Sequence, residues 1–190
     1  MYQQEVTQNY LQALFKTAEA FLPIAVESLV GELIIADSRS AKVFLCGNGG
    51  SSANAAHVEN DFSIGISRFS NLKLKIETLG TNLAVSTAIA NDFCYEEIFS
   101  KQLYLKGSKG DLLIVFSGSG NSPNIIKVLQ IAKQMDIRTC GVFGFDGGVA
   151  KSLVDVPIHF PIDDMQISED LQLILGHLVL RQFEGRKKDS

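Results

Sequence analysis

The sequence predicts an α/β fold in which helices cover both faces of a parallel sheet. Three observations predict it. Short apolar runs recur at Val43–Cys46, Leu112–Phe116 and Thr139–Phe143, each the length of a strand buried on both sides. Segments of helical periodicity separate these runs. Two of the runs empty into loops of glycine and serine that open onto a helical pattern: Cys46-Gly47-Asn48-Gly49-Gly50-Ser51-Ser52 and Ser117-Gly118-Ser119-Gly120-Asn121-Ser122-Pro123.

Taken in order, residues 4–37 are helical in pattern, with Leu11, Leu14, Phe15, Ala18, Phe21 and Leu22 at i, i+3, i+4 spacing. Pro23 removes a backbone donor there, so a bend and then a second helix from Ile24 to Ala36 are expected. Val43–Cys46 is the first strand, and Ser51–Asp61 begins a helix. Leu72–Leu79 alternates enough to be a strand. Leu83–Ala90 and Tyr95–Leu103 are helical. Leu112–Phe116 is a strand and Pro123–Met135 a helix. Thr139–Phe143 is a strand, Gly148–Leu153 a short helix, Val156–Phe160 a short strand and Gln166–Phe183 a long last helix. No linker, repeat or low-complexity stretch interrupts the order. Residues 1–190 are therefore expected to form one domain, with helices over 1–40 and the sheet-and-helix core over 41–190.

Composition narrows the function classes. The chain is 46% apolar and 20% charged with a net charge of −4, an ordinary globular balance. Its one basic run, Arg186-Lys187-Lys188, is expected to be a solvated end, so no nucleic-acid surface is indicated. No apolar run approaches the roughly 18 residues of a membrane span, and no charged-then-apolar leader stands at the N-terminus. The three cysteines, Cys46, Cys94 and Cys140, are widely spaced. They suit free thiols in a reducing compartment better than a disulfide framework. The protein reads as cytoplasmic, with no membrane partner.

Both glycine–serine loops leave a strand and enter a helix, where ligands of open parallel sheets bind. Free N–H groups and the positive end of the helix dipole face an anion there, serine hydroxyls add hydrogen bonds, and glycine lets the backbone approach. The Asn48 loop lacks the lysine of a nucleotide-binding loop, and dinucleotide spacing is absent. A small phosphate ester is thus favoured over a nucleotide; the alternative is a pair of tight turns. Ser122 precedes Pro123, so its hydroxyl is drawn both to capping the helix and to holding an anion.

His57 and Asp61 stand at i and i+4 and share a helix face. Glu169 and His177 lie eight residues apart on the last helix, about 80° around its axis. Two imidazoles and two carboxylates suffice to hold a zinc-like ion or to move protons. Each pair alone is equally readable as a structural contact, and His177, set among Leu175, Leu178 and Val179, as a core histidine. His159 has no partner pattern and is given no role, and Asn91-Asp92 reads on its own as a helix end and turn.

The chain resembles a SIS (sugar isomerase) domain protein of the phosphoheptose isomerase type. The motifs that carry the resemblance are Cys46-Gly47-Asn48-Gly49-Gly50-Ser51, Ala90-Asn91-Asp92-Phe93 with Tyr95 and Ile98-Phe99, Ser117-Gly118-Ser119-Gly120-Asn121-Ser122, and Gly144-Phe145-Asp146-Gly147-Gly148. The resemblance implies a three-layer α/β/α sandwich with a five-stranded parallel sheet, preceded by N-terminal helices, and a homotetramer with sites between subunits. It implies conversion of sedoheptulose 7-phosphate to D-glycero-D-manno-heptose 7-phosphate, a step toward the heptoses of bacterial lipopolysaccharide or capsule.

By motif match, the substrate contacts implied are Asn48, Gly49, Gly50, Ser51, Asn91, Asp92, Ser117, Gly118, Ser119, Ser122 and Glu169. A zinc ion would fall to His57, Asp61, Glu169 and His177, with Asp61 as catalytic base and His177 as its acid partner. Three positions depart from the family's pattern: Asp61 stands for its usual glutamate, Glu169 for its glutamine, and Gly118 for its common threonine. Asp170 fits the facial geometry of the last helix better than Glu169, which the motif alignment selects. The competing readings are a non-catalytic relative that associates with the replication initiator, and an isomerase of another sugar phosphate.

Overall fold

The computed structural model describes residues 2–184, and the basic run Arg186-Lys187-Lys188 lies outside them. Five parallel strands form the sheet: β1 (Lys42–Gly47), β2 (Lys75–Thr78), β3 (Leu112–Ser117), β4 (Arg138–Phe143) and β5 (Val156–His159), in the spatial order β2-β1-β3-β4-β5. The order reverses between β1 and β3, whose register pairs Gly47 with Phe116. This is the topological switch point, where the loops beyond the strand ends diverge and leave a crevice. The two glycine–serine loops follow these two strands.

Alternation along the strands builds two cores. Val43, Leu45, Ile114 and Phe116 face one side with α1 (Tyr2–Ser38), α2 (Gly49–Asn60) and α7 (Met165–Glu184). Phe44, Cys46, Leu113 and Val115 face the other with α4 (Leu83–Asp92), α5 (Ser100–Lys106) and α6 (Pro123–Gln134). The expected three-layer sandwich is present. Burial drives the thiol of Cys46 well above its ordinary value and that of Cys140 up to about 12, so both are inert core residues. All three cysteines are free, and among the described residues no helix is long and apolar enough to cross a membrane.

Helix α1 corrects one expectation: it runs unbroken through Pro23. Pro23 and Glu19, the residue whose carbonyl loses its partner, are both exposed, so the break falls on the solvent side of the helix. The opposite face buries Leu22, Val26, Leu29 and Leu33 and carries the helix past the break. Asn91 and Asp92 form the last turn of α4 rather than a turn beyond it. A second feature had no sequence signature: α2 passes at Asp61 into a wider π turn, Asp61–Gly65, in which the N–H of Ile66 bonds the carbonyl of Asp61, before α3 (Ile66–Phe69) resumes. The Ser63 hydroxyl donates to the Glu59 carbonyl at 2.6 Å inside that stretch, where the winding changes.

Candidate active site

Helices α2 and α7 lie side by side on one face of the sheet. Gly176 permits the approach, because a Cβ there would meet Val58 Cγ2 at 2.6 Å. The pairing brings His57 of α2 against His177 of α7, Nε2 to Nε2 at 3.0 Å, with the rings edge to face. Asp61, one turn beyond His57, puts Oδ2 3.4 Å from His57 Nε2 and 3.8 Å from His177 Nε2. The Asp61 side chain is only 13% exposed while both imidazoles are about half exposed, so the trio opens to solvent on the histidine side.

These three atoms suit a metal ion. Two ligands about 2.1 Å from a tetrahedral zinc are separated by about 3.4 Å, and the observed edges of 3.0, 3.4 and 3.8 Å bracket that value. Three ligands with an open side is the pattern of a catalytic rather than a structural zinc site. His177, readable from sequence as a core histidine, is half exposed beside His57 and Asp61 rather than packed in the core.

The second part of the site is a cavity of about 240 Å³ at the switch point, lined by Asn48, Gly49, Gly50, Ser51, Phe116, Ser117, Gly118, Ser119, Ser122, Met165 and Glu169. The structure brings together every predicted residue of the two loops. Within the serine loop, Ser117 Oγ accepts the Gly120 N–H at 3.1 Å and Ser119 Oγ accepts the Asn121 N–H at 3.2 Å, holding the turn. Gly120 is at φ 64, and a Cβ on it would collide with the Gly147 carbonyl. The Gly144–Gly148 motif therefore braces the loop from behind. Ser122 sits at the N-cap of α6 and makes no side-chain capping bond, which leaves its hydroxyl to the cavity.

Glu169 stands apart from the trio. Its carboxylate lies flat over Gly50, in the space a side chain at position 50 would need. It is a wall of the loop cavity, next to the N-terminus of α2. Asp170, its rival from sequence, is engaged elsewhere: it accepts the Tyr10 hydroxyl at 2.5 Å and ties α7 to α1. That bond, burial and the charge of Asp170 push the Tyr10 phenol up to about 12, burial most of all. Asn91 and Asp92 are exposed, bonded to each other at 2.9 Å, and do not line the cavity.

Sequence reasoning missed several contacts. Asn124, buried in the first turn of α6, pairs with Asn48. Met165 closes the cavity beside Gly118. Asn54 on α2 donates to the Glu169 carbonyl at 2.9 Å and to Gln172 Oε1 at 3.1 Å, fixing α7 against α2. All are tertiary pairings with no local pattern. His159, given no role, receives Lys151 Nζ at 3.0 Å and donates Nε2–H to the Phe145 carbonyl at 2.9 Å, behind the serine loop.

The doubly covered parallel sheet with two glycine–serine loops at its switch point is that of a SIS-domain protein by its match to the family model for that domain over residues 2–144. The chain is 38% identical over 169 residues to the phosphoheptose isomerase of Clostridium acetobutylicum, spanning 87% of this chain and 86% of that one. It is 37% identical over 164 residues to that of Burkholderia pseudomallei, spanning 85% and 82%. The chain belongs to the phosphoheptose isomerase family of SIS-domain proteins. Among solved structures, the phosphoheptose isomerase of Neisseria gonorrhoeae superposes with a TM-score of 0.85 at 26% identity, covering 97% of this chain and 99% of that one. The Francisella tularensis phosphoheptose isomerase shares the fold with a TM-score of 0.86 at 24% identity, covering 95% of each chain.

Proposed function

We propose that the protein is an aldose–ketose isomerase that converts sedoheptulose 7-phosphate to D-glycero-D-manno-heptose 7-phosphate. The observation that carries this reading is the spacing of the two half-sites along α2 and α7. Gly50 precedes His57 by seven residues and Glu169 precedes His177 by eight, which separates the loop cavity from the trio by about 10–12 Å at about 1.5 Å per residue. An extended seven-carbon sugar spans about 10 Å from C1 to its terminal phosphorus, at roughly 1.2 Å per bond. Phosphate held in the loop cavity then delivers C1 and C2 to the trio.

Isomerisation moves a proton between C1 and C2 through an enediol. In this reading Asp61 removes the proton and His177 returns one at the neighbouring position, while His57 and the loop residues fix the sugar oxygens. A zinc ion, if bound, would be held by His57, Asp61 and His177 and would supply a Lewis acid for the oxygen that gathers negative charge. Ser117, Ser119, Ser122 and the amides of Gly49, Gly50 and Ser51 anchor the phosphate, and Gly118 contributes backbone only. That anchoring energy, remote from the reacting carbons, is spent on orientation.

The reading includes a homotetramer with sites at subunit boundaries. The exposed apolar side chains Leu83, Phe93, Tyr104 and Leu105 beside Asn91 and Asp92 support it, as does an apolar groove of about 930 Å³ along α1 and α7, lined by Phe15, Leu22, Val26 and Leu178. It also includes a cytoplasmic setting, where the three thiols stay reduced. The trio favours an enzyme over a binding protein that merely shares the scaffold.

The test is a panel of phosphorylated ketoses assayed after chelation, with and without added zinc. Zinc-restored formation of the aldose from the heptulose phosphate is the expected result. Turnover of a hexulose phosphate and not of the heptulose would overturn the substrate assignment.

A further inference from the structure

The side chain of Asn48 is not free to serve a ligand through its carbonyl oxygen. Asn48 Nδ2 donates to Asn124 Oδ1 at 2.8 Å and Asn124 Nδ2 donates to Asn48 Oδ1 at 2.8 Å, a closed ring of two amides. The Tyr95 hydroxyl donates to the same Asn48 oxygen at 3.0 Å, so both of its lone pairs are taken. Asn48 belongs to the loop after β1, and Asn124 to the first turn of α6, directly behind the serine loop. Tyr95 opens the short 3-10 turn that follows α4 and the exposed pair Asn91-Asp92. Three segments far apart in sequence therefore meet at one amide. Asn124 is 1% exposed and does not line the cavity, so it reaches a ligand only through Asn48.

We propose that Asn124 is a positioning residue: its amide ring with Asn48, fastened by Tyr95, sets the gap between the two anion loops before the phosphate arrives. Asn124 is buried while Asn48 is half-buried, so the ring is stiff chiefly at Asn124, where breaking either bond strands a polar group out of reach of water. A gap fixed in advance spares the ligand the cost of ordering two loops, and that saving belongs to phosphate affinity more than to the proton transfer. Asn48 is thus assigned to the latch, and the ligand contacts of its loop fall to the amides of Gly49, Gly50 and Ser51. The inference rests on the isomerase reading and specifies how its phosphate half-site is held.

The test measures inorganic phosphate affinity together with KM and kcat on the heptulose phosphate, for the wild type, Asn124→Ala, Asn124→Asp, Asn48→Ala and the Asn48→Ala/Asn124→Ala double variant. Asn124→Asp keeps the size and replaces one donor by an oxygen facing Asn48 Oδ1, so it serves if the alanine variant fails to fold. The single Asn124 variants are expected to weaken phosphate binding and raise KM about 10-fold, the scale of one or two lost buried hydrogen bonds, with kcat moving much less. The double variant should be no weaker than Asn48→Ala alone, an equality that a general loss of stability would not produce. A folded Asn124 variant with unchanged phosphate affinity, or additive effects in the double variant, overturns the latch alone. A wild type that neither binds phosphate nor turns over the sugar phosphate overturns the isomerase reading and the latch with it.

Discussion

Met165 occupies the place of a side chain at position 118. A Cβ on Gly118 would stand 2.5 Å from the Met165 sulfur, so the glycine and the methionine are two halves of one packing solution. A threonine here, the common residue in the family this chain resembles, requires the exposed Met165 thioether to swing aside. Gly118→Thr alone is expected to destabilise the fold by about 1–3 kcal/mol through overpacking. Gly118→Thr with Met165→Ala should recover much of that loss and lower KM by adding a hydroxyl to the loop. Thermal melts and Michaelis kinetics on the three variants check this. A single variant as stable as the wild type would show that Met165 swings aside freely.

The trio predicts a steep loss of turnover without loss of fold. His177→Gln and Asp61→Asn should each cut kcat by about 100-fold or more, the scale of general acid–base catalysis, with circular dichroism unchanged. Both should also weaken zinc uptake in equilibrium dialysis, because each removes a ligand atom from the triangle at 3.0, 3.4 and 3.8 Å. Full turnover by either variant would remove that residue from the reaction.

Glu169 sets a carboxylate over Gly50, at the wall of a cavity proposed to hold a dianion. Like charges at that range oppose binding. Glu169→Gln is expected to lower KM for the sugar phosphate by a few-fold and to flatten its salt dependence, with kcat preserved. A collapse of kcat in Glu169→Gln would instead make the carboxylate a participant at the trio.

Tyr10 predicts an alkaline limb in stability. Its phenol ionises near 10 when unfolded and at about 12 in the fold, owing first to burial and then to its bond with Asp170. The folded state therefore favours the protonated phenol. That contribution is complete below pH 10 and is lost as pH rises from 10 toward 12. Tyr10→Phe should lower stability at neutral pH and flatten the decline between those values. Urea titrations at a series of pH values give the comparison.

Much of this was legible in the sequence, for reasons that differ by element. The strands are short apolar runs with no competing helical period, so β1, β3 and β4 fall within a residue of their expected ends. The two loops carry their signal locally, in glycine and serine between a strand and a helix. His57 and Asp61 declare their shared face through four-residue spacing. Pro23 misled because its cost depends on what lies opposite: the break falls on the solvent side at the exposed Glu19, and the buried Leu22–Leu33 stripe holds the helix together. The π turn at Asp61 and the Asn48–Asn124 ring had no such local sign. The first rests on how α2 must reach α3, the second on two amides 76 residues apart meeting at a sheet reversal.

The placement of His177 has a consequence for how the protein comes into being. Both glycine–serine loops, His57 and Asp61 all leave the ribosome before α7 does, and α7 then supplies Ile167, Leu171, Leu175, Val179 and Phe183 to the core on its face of the sheet. The imidazole pair forms only when Met165–Glu184 docks across α2. A nascent or clipped chain ending before that helix would carry both glycine–serine loops and only two members of the trio. On the proposed reading, chemistry is thereby reserved for a chain whose last helix has docked.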